Sequence, residues 1–128
     1  MAVEIRQGGC QCGAVRFAAN GAPKFISNCH CQSCRKATGA AYSTWVGFRD
    51  ENTQWTRGDP SFFASSPDVT RGFCRDCGTP LTYTGKKWAG ELHFLAGLFD
   101  DPEAVAPRTE AFTEDALSWA PRLKKEQT

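Results

Sequence analysis

The stretch NCHCQSCRKATGA, residues 28–40, places Cys29, Cys31 and Cys34 within six positions. Three thiols so close together form a metal-ligand pattern, and they raise a counting problem. A structural zinc ion takes four protein ligands. A catalytic one takes three and keeps a fourth position for water or substrate. A strand turns successive side chains to opposite faces, so Cys29 and Cys31 are expected to point one way and His30 the other. Cys34 follows after a turn and closes a three-sulfur cup. His30 is therefore a poor fourth ligand. His93, in the apolar stretch LHFLAG, reads as a structural histidine.

The chain holds seven cysteines, with Cys10 and Cys12 as C-x-C, the cup as C-x-C-x-x-C, and Cys74 and Cys77 as C-x-x-C. An odd count argues against a secreted disulfide framework, and C-x-C neighbours are poorly placed to bridge each other. In a reducing compartment such clusters read as metal ligands. Two tetrahedral ions need about eight ligand positions, and the cysteines fill all but one. Three divisions are open. In the favoured one, Cys10, Cys12, Cys74 and Cys77 form a closed site that staples the N-terminal strands to a distant hairpin. Cys29, Cys31 and Cys34 are then left as an open site. In the second, CQSC (31–34) pairs with CRDC (74–77) as in a zinc ribbon, which strands Cys10, Cys12 and Cys29. In the third, a single zinc binds and the other thiols are core or redox residues.

A length of 128 residues suits one domain with its own core, so a single zinc-binding domain over 1–128 is expected. The formal net charge of +1 turns slightly negative if the thiols ionise around two zinc ions. No strong basic field remains, which argues against a nucleic-acid partner. KKW (86–88) and PRLKKEQT (121–128) read as solvated turns and ends. No apolar run reaches membrane-spanning length. The opening MAVEIRQGG carries Glu4 early and lacks the apolar centre of a secretory signal. The expected location is the cytoplasm, with no membrane partner. Neither a P-loop nor a dinucleotide fingerprint is present.

The rest of the chain reads as short strands broken by turns. VEIRQ alternates apolar and polar residues. AVRFAA (14–19) puts Val15 and Phe17 on one face, NGAP (20–23) turns the chain, and KFISN leads into the cup. QSCRKATG (32–39) is expected to form one or two helical turns stopped by Gly39. AAYSTWVGF (40–48) is rich in β-branched and aromatic residues and reads as a strand. TQWTRG, SFFASS, VTRGF and PLTYTG continue the series, the last two flanking CRDC as a hairpin with a metal knuckle. ELHFLAGLF (91–99) reads as a strand with a bulge at Gly97. DDPEAVAP (100–107) holds a turn, and TEDALSWA (113–120) reads as a short helix capped by Thr113. Trp45, Trp55, Phe62 and Phe63 are expected in the core. Arg35 and Lys36 are expected on a solvated helical face. Ser33 and Thr38 are expected to cap the turn.

GGCQCGAVRF (8–17), CHCQSCRKATGA (29–40), FCRDCGTPL (73–81) and GLFDDPE (97–103) occur in order, with Trp119 near the end. Together they resemble the glutathione-dependent formaldehyde-activating enzymes, over nearly the whole chain. The resemblance implies a mostly β fold, a β-tent of small antiparallel sheets around zinc with short helical turns. It implies two zinc ions per chain. Cys10, Cys12, Cys74 and Cys77 match the structural ligands, and Cys29, Cys31 and Cys34 the catalytic ones. The implied activity is that of a carbon–sulfur lyase, joining glutathione to formaldehyde as S-hydroxymethylglutathione. Where many members carry a histidine before the aromatic residue of the last strand, this chain has Glu110 and Phe112. At an open metal position a small thiol would ionise and attack an aldehyde carbon. The competing expectation is a zinc-stabilised binding or scaffold module without catalysis. A third is a thiol redox protein in which the cup forms a disulfide.

Overall fold

The computed structural model describes residues 4–124. Val3 of the expected first strand and residues 125–128 of the expected solvated tail lie outside the described residues. The fold is mostly β, as expected, with two sheets and one short helix. β1 (Ile5–Gly9), β2 (Arg16–Asn20) and β5 (Thr53–Arg57) form a three-stranded antiparallel sheet in the order β1-β2-β5. The larger sheet takes β3 (Phe25–Cys29), β4 (Ser43–Arg49), β6 (Ser61–Ser66), β7 (Val69–Phe73), β8 (Pro80–Gly85), β9 (Glu91–Leu95) and β10 (Thr109–Ala111). Its order is β10-β3-β4-β9-β8-β7-β6. All its pairs are antiparallel except β10 with β3, which is parallel. Among the described residues no helix is long and apolar enough to cross a membrane.

Period-two alternation explains where the core lies. Phe17 and Ala19 of β2 turn one face inward, and Val46 and Phe48 of β4 and Leu92 and Phe94 of β9 meet them from the other sheet. Phe17 stacks on Phe94 at a centroid distance of 4.0 Å, and Phe99 meets Phe17 edge-on at 5.1 Å. Large rings thus fill the gap between two short-stranded sheets, where small side chains would leave voids. Trp55 packs against the same cluster.

Several local expectations are corrected. AAYSTWVGF enters the sheet only at Ser43. The strand predicted over 91–99 ends at Leu95, and residues Ala96–Leu98 wind into a 3-10 turn closed by the Phe99 N–H on the Ala96 carbonyl. The helix predicted over 113–120 is reduced to a 3-10 turn at Thr113–Asp115. Its cap residue is Phe112, in the left-handed region, and not Thr113. Phe62 and Phe63 are not core: they are 54% and 48% exposed, because β6 is the edge of its sheet.

α1 (Gln32–Thr38) follows β3 directly. The Cys31 sulfur accepts the Cys34 N–H at 3.3 Å as its N-cap, and Gly39 ends it at φ 71°. Only glycine adopts that φ without strain, so the Gly39 stop falls where the sequence indicated. Strand end, cap and first helical turn therefore bring Cys29, Cys31 and Cys34 to one point.

Candidate metal centre and adjoining cavity

The structure assembles the seven cysteines as two groups: Cys10, Cys12, Cys74 and Cys77, and Cys29, Cys31 and Cys34. Within each group all sulfurs lie within 4.8 Å of one another. All seven are free thiols. The zinc-ribbon pairing of 31–34 with 74–77 is not the one adopted.

In the four-cysteine group, two tight turns face each other. The Cys10 N–H donates to the Val15 carbonyl at 3.0 Å, and the Cys74 N–H to the Thr79 carbonyl at 2.9 Å. Gly78 closes the second turn at φ +79° with its N–H on the Cys74 carbonyl. The Gln11 N–H donates to the Thr79 hydroxyl at 3.1 Å and ties the two turns together. Val15 and Leu81 supply the apolar bed under the sulfurs. Zn–S bonds of about 2.3 Å in a tetrahedron put sulfurs about 3.8 Å apart. Here Cys10 and Cys12 are 3.6 Å apart, and Cys12 and Cys74 3.8 Å. These residues fit an ion of that size.

The three-cysteine group fits the same ion with one side left over. Cys29 lies 3.5 Å from Cys31 and 3.5 Å from Cys34. A hydrogen bond shared with Cys29 pulls Cys34 down to about 5 against the effect of burial, and the same bond pushes Cys29 up. Burial, then contact with Cys34, also raises Cys31. Three such close sulfurs cannot all carry charge unaided, whereas a bound divalent cation would deprotonate them together. Neither histidine joins the group. His30 is fully buried, with Nε2 3.1 Å from Glu110 Oε1. His93 Nε2 lies 2.9 Å from Glu91 Oε1, and its ring stacks on Tyr83.

A cavity of about 260 Å³ opens onto the three sulfurs. Trp45, Tyr83, Trp88 and Phe112 wall it, and Arg71 and Lys87 are its cations. Of the four aromatic residues expected in the core, Trp45 lines this cavity. Arg35, expected in solvent, instead donates to the His30 and Asp115 carbonyls at 3.1 and 2.7 Å. It is a strut between α1 and the C-terminal segment. Ser33 does not cap α1; its hydroxyl accepts from Arg71 at 3.0 Å. Arg71, Tyr83 and Trp88 carry no local motif. Their place becomes visible only once β7 and β8 are laid across the larger sheet.

β10 holds the far side of this region. Glu110 accepts from Arg122 at 2.9 and 3.1 Å and lies beside His30. Arg122 chiefly, with help from His30, holds its carboxyl down at about 2. An unfolded glutamate titrates near about 4.3. The stabilisation is therefore complete above that value and is lost as pH falls toward about 2. Glu110→Gln is expected to lower the urea midpoint at pH 6, with the gap to the unsubstituted protein closing steadily below about pH 4. An unchanged midpoint at pH 6 would mean that the contacts of Glu110 with Arg122 and His30 add nothing to stability.

A sequence model of the glutathione-dependent formaldehyde-activating enzyme family matches residues 5–115. A Halomonas elongata protein, whose name assigns it provisionally to that activity, is 28% identical over 134 residues, covering 96% of this chain and 84% of that protein. A Rhodobacter sphaeroides protein solved by crystallography as a structural-genomics target is similar with a TM-score of 0.63 at 18% identity. That likeness covers 82% of this chain and 99% of the other. At that identity the likeness is one of fold.

Proposed function

The chain belongs to the family of glutathione-dependent formaldehyde-activating enzymes, and on that premise we propose that it joins a small thiol of the glutathione type to an aldehyde such as formaldehyde, and runs the reverse cleavage. One observation carries the reading. Four cysteines close on one another, while three stand together on the wall of a cavity large enough for a small substrate.

In this reading Cys10, Cys12, Cys74 and Cys77 hold a structural zinc ion, and Cys29, Cys31 and Cys34 hold a second one, giving two per chain. The same reading takes the two sheets as the β-tent that the resemblance implies, forming one domain over 1–128 that works in the reducing cytoplasm. Zinc in the three-cysteine site would supply the positive charge that keeps a bound thiol ionised at neutral pH. The chain's own residues do the rest. The three sulfurs fix one end of the cavity, and Trp45 and Tyr83 shield it from water. The thiolate is the nucleophile. Its sulfur forms a bond to the carbonyl carbon, the carbonyl π pair moves to oxygen, and oxygen takes up a proton. The product is a hemithioacetal, and the enzyme belongs with the carbon–sulfur lyases.

Exchange NMR on formaldehyde, glutathione and their adduct tests the reading, because it reports interconversion at equilibrium. The zinc-loaded protein is expected to speed interconversion above the buffer rate. The buffer rate with protein present would contradict the proposal and leave the scaffold reading in its place.

A further inference from the structure

Arg71 sits in β7, is 5% exposed and lines the cavity that holds the three cysteines. A buried guanidinium is costly unless it is paired. Among the described residues no Asp or Glu pairs with it. Its side chain donates to the Ser33 hydroxyl at 3.0 Å and lies beside the Cys34 sulfur, its Nε has no partner, and its carbon centre lies 5.2 Å from the Tyr83 ring centroid. Ser33 and the ring thus hold the planar group still, and the only negative charge that reaches it is that of the cysteine sulfurs of the cavity, with no carboxylate paired to it among the described residues. The same cavity contains Lys87 and no acidic residue.

We propose that Arg71 binds a carboxylate on the thiol substrate, so that the site selects thiols carrying an acid group within one small molecule's reach of the sulfur. This rests on reading the three-cysteine site as the thiol site. A guanidinium matches a carboxylate through two parallel N–H···O bonds, which a neutral amide cannot reproduce. Arg71 therefore acts as a specificity-determining residue, and Ser33 positions it.

The test compares N-acetylcysteine with N-acetylcysteine amide, which share the thiol and differ in the charge. Binding to the zinc-loaded protein is followed by the fluorescence of Trp45 and Trp88, which line the cavity. The acid is expected to bind about 10–100-fold more tightly than the amide, the range for a charge-assisted hydrogen bond. Arg71→Gln is expected to bring the two together, and Arg71→Lys to keep part of the preference. The acid–amide comparison on the unsubstituted protein needs no variant, so it stands even if Arg71→Gln fails to fold. Equal binding of acid and amide would overturn the proposal and leave Arg71 as a mere counter-charge to the sulfurs. That outcome, with interconversion still accelerated, would spare the proposed function. A preference for the acid without acceleration would sustain the Arg71 assignment and sink the proposed function. Binding of neither thiol would end both.

Discussion

Replacing Cys74 by serine is expected to leave a chain that does not fold stably at neutral pH. Cys74 is 1% exposed and stands in the group that joins the turn after β1 to the β7–β8 hairpin, across 62 positions of sequence from Cys12. The apolar bed there is thin, with Val15 and Leu81 as the buried non-cysteine side chains of that cluster. A structural zinc site in small peptides supplies about 10–16 kcal/mol of apparent folding free energy. A whole domain is stable by only about 5–15 kcal/mol. Losing one of the four proposed zinc ligands forfeits a large part of that supply, and the bed beneath cannot replace it. Circular dichroism and urea titration should show the variant largely unfolded, and a strong chelator should do the same to the unsubstituted protein. A cooperative melt at an unchanged midpoint in either experiment would mean that the four-cysteine group is not what holds the two turns together.

Cys31→Ser is expected to do the opposite, keeping the fold and losing the chemistry. Cys31 is half-buried and its sulfur is the N-cap of α1, accepting the Cys34 N–H at 3.3 Å. Serine is a favoured residue at that position, so the helix start is preserved or improved. The loss falls on the proposed zinc ion. Mutating groups that merely support a ligand costs about 10–100-fold in affinity or activity, so removing a ligand is expected to cost about 100-fold or more. Interconversion should fall to the buffer rate while the urea midpoint moves by little. Full activity in a folded Cys31→Ser protein would refute the three-cysteine site as the place of reaction.

The features legible in the sequence were those fixed by short-range geometry. The spacing of Cys29, Cys31 and Cys34 is set by a strand end and a helix cap, and Gly39 marks its own left-handed conformation. The C-x-x-C at 74–77 sits where two alternating stretches must turn. Features set by distant parts of the chain were hidden. β10 is three residues long and pairs in parallel with β3, so nothing in TEA announces it. Phe62 and Phe63 look like core by composition, but edge position left them exposed. TEDALSWA carries helical residues, yet Phe112 at φ 54° redirects the chain and Trp119 is 71% exposed. Arg71 reaches Ser33 across 38 positions. Its role depends on how β7 is placed beside α1, which no local pattern encodes.

Zinc K-edge absorption spectroscopy on the zinc-loaded protein, before and after glutathione, shows whether the three-cysteine site takes up the thiol. Seven cysteine sulfurs shared by two tetrahedral ions give an average of about 3.5 sulfurs per zinc. Entry of the thiol into the open position is expected to raise that average to about 4, with two zinc ions per chain retained. An average unmoved by saturating glutathione would rule out the proposed reaction there, because the three-cysteine site would then have no place for the thiol.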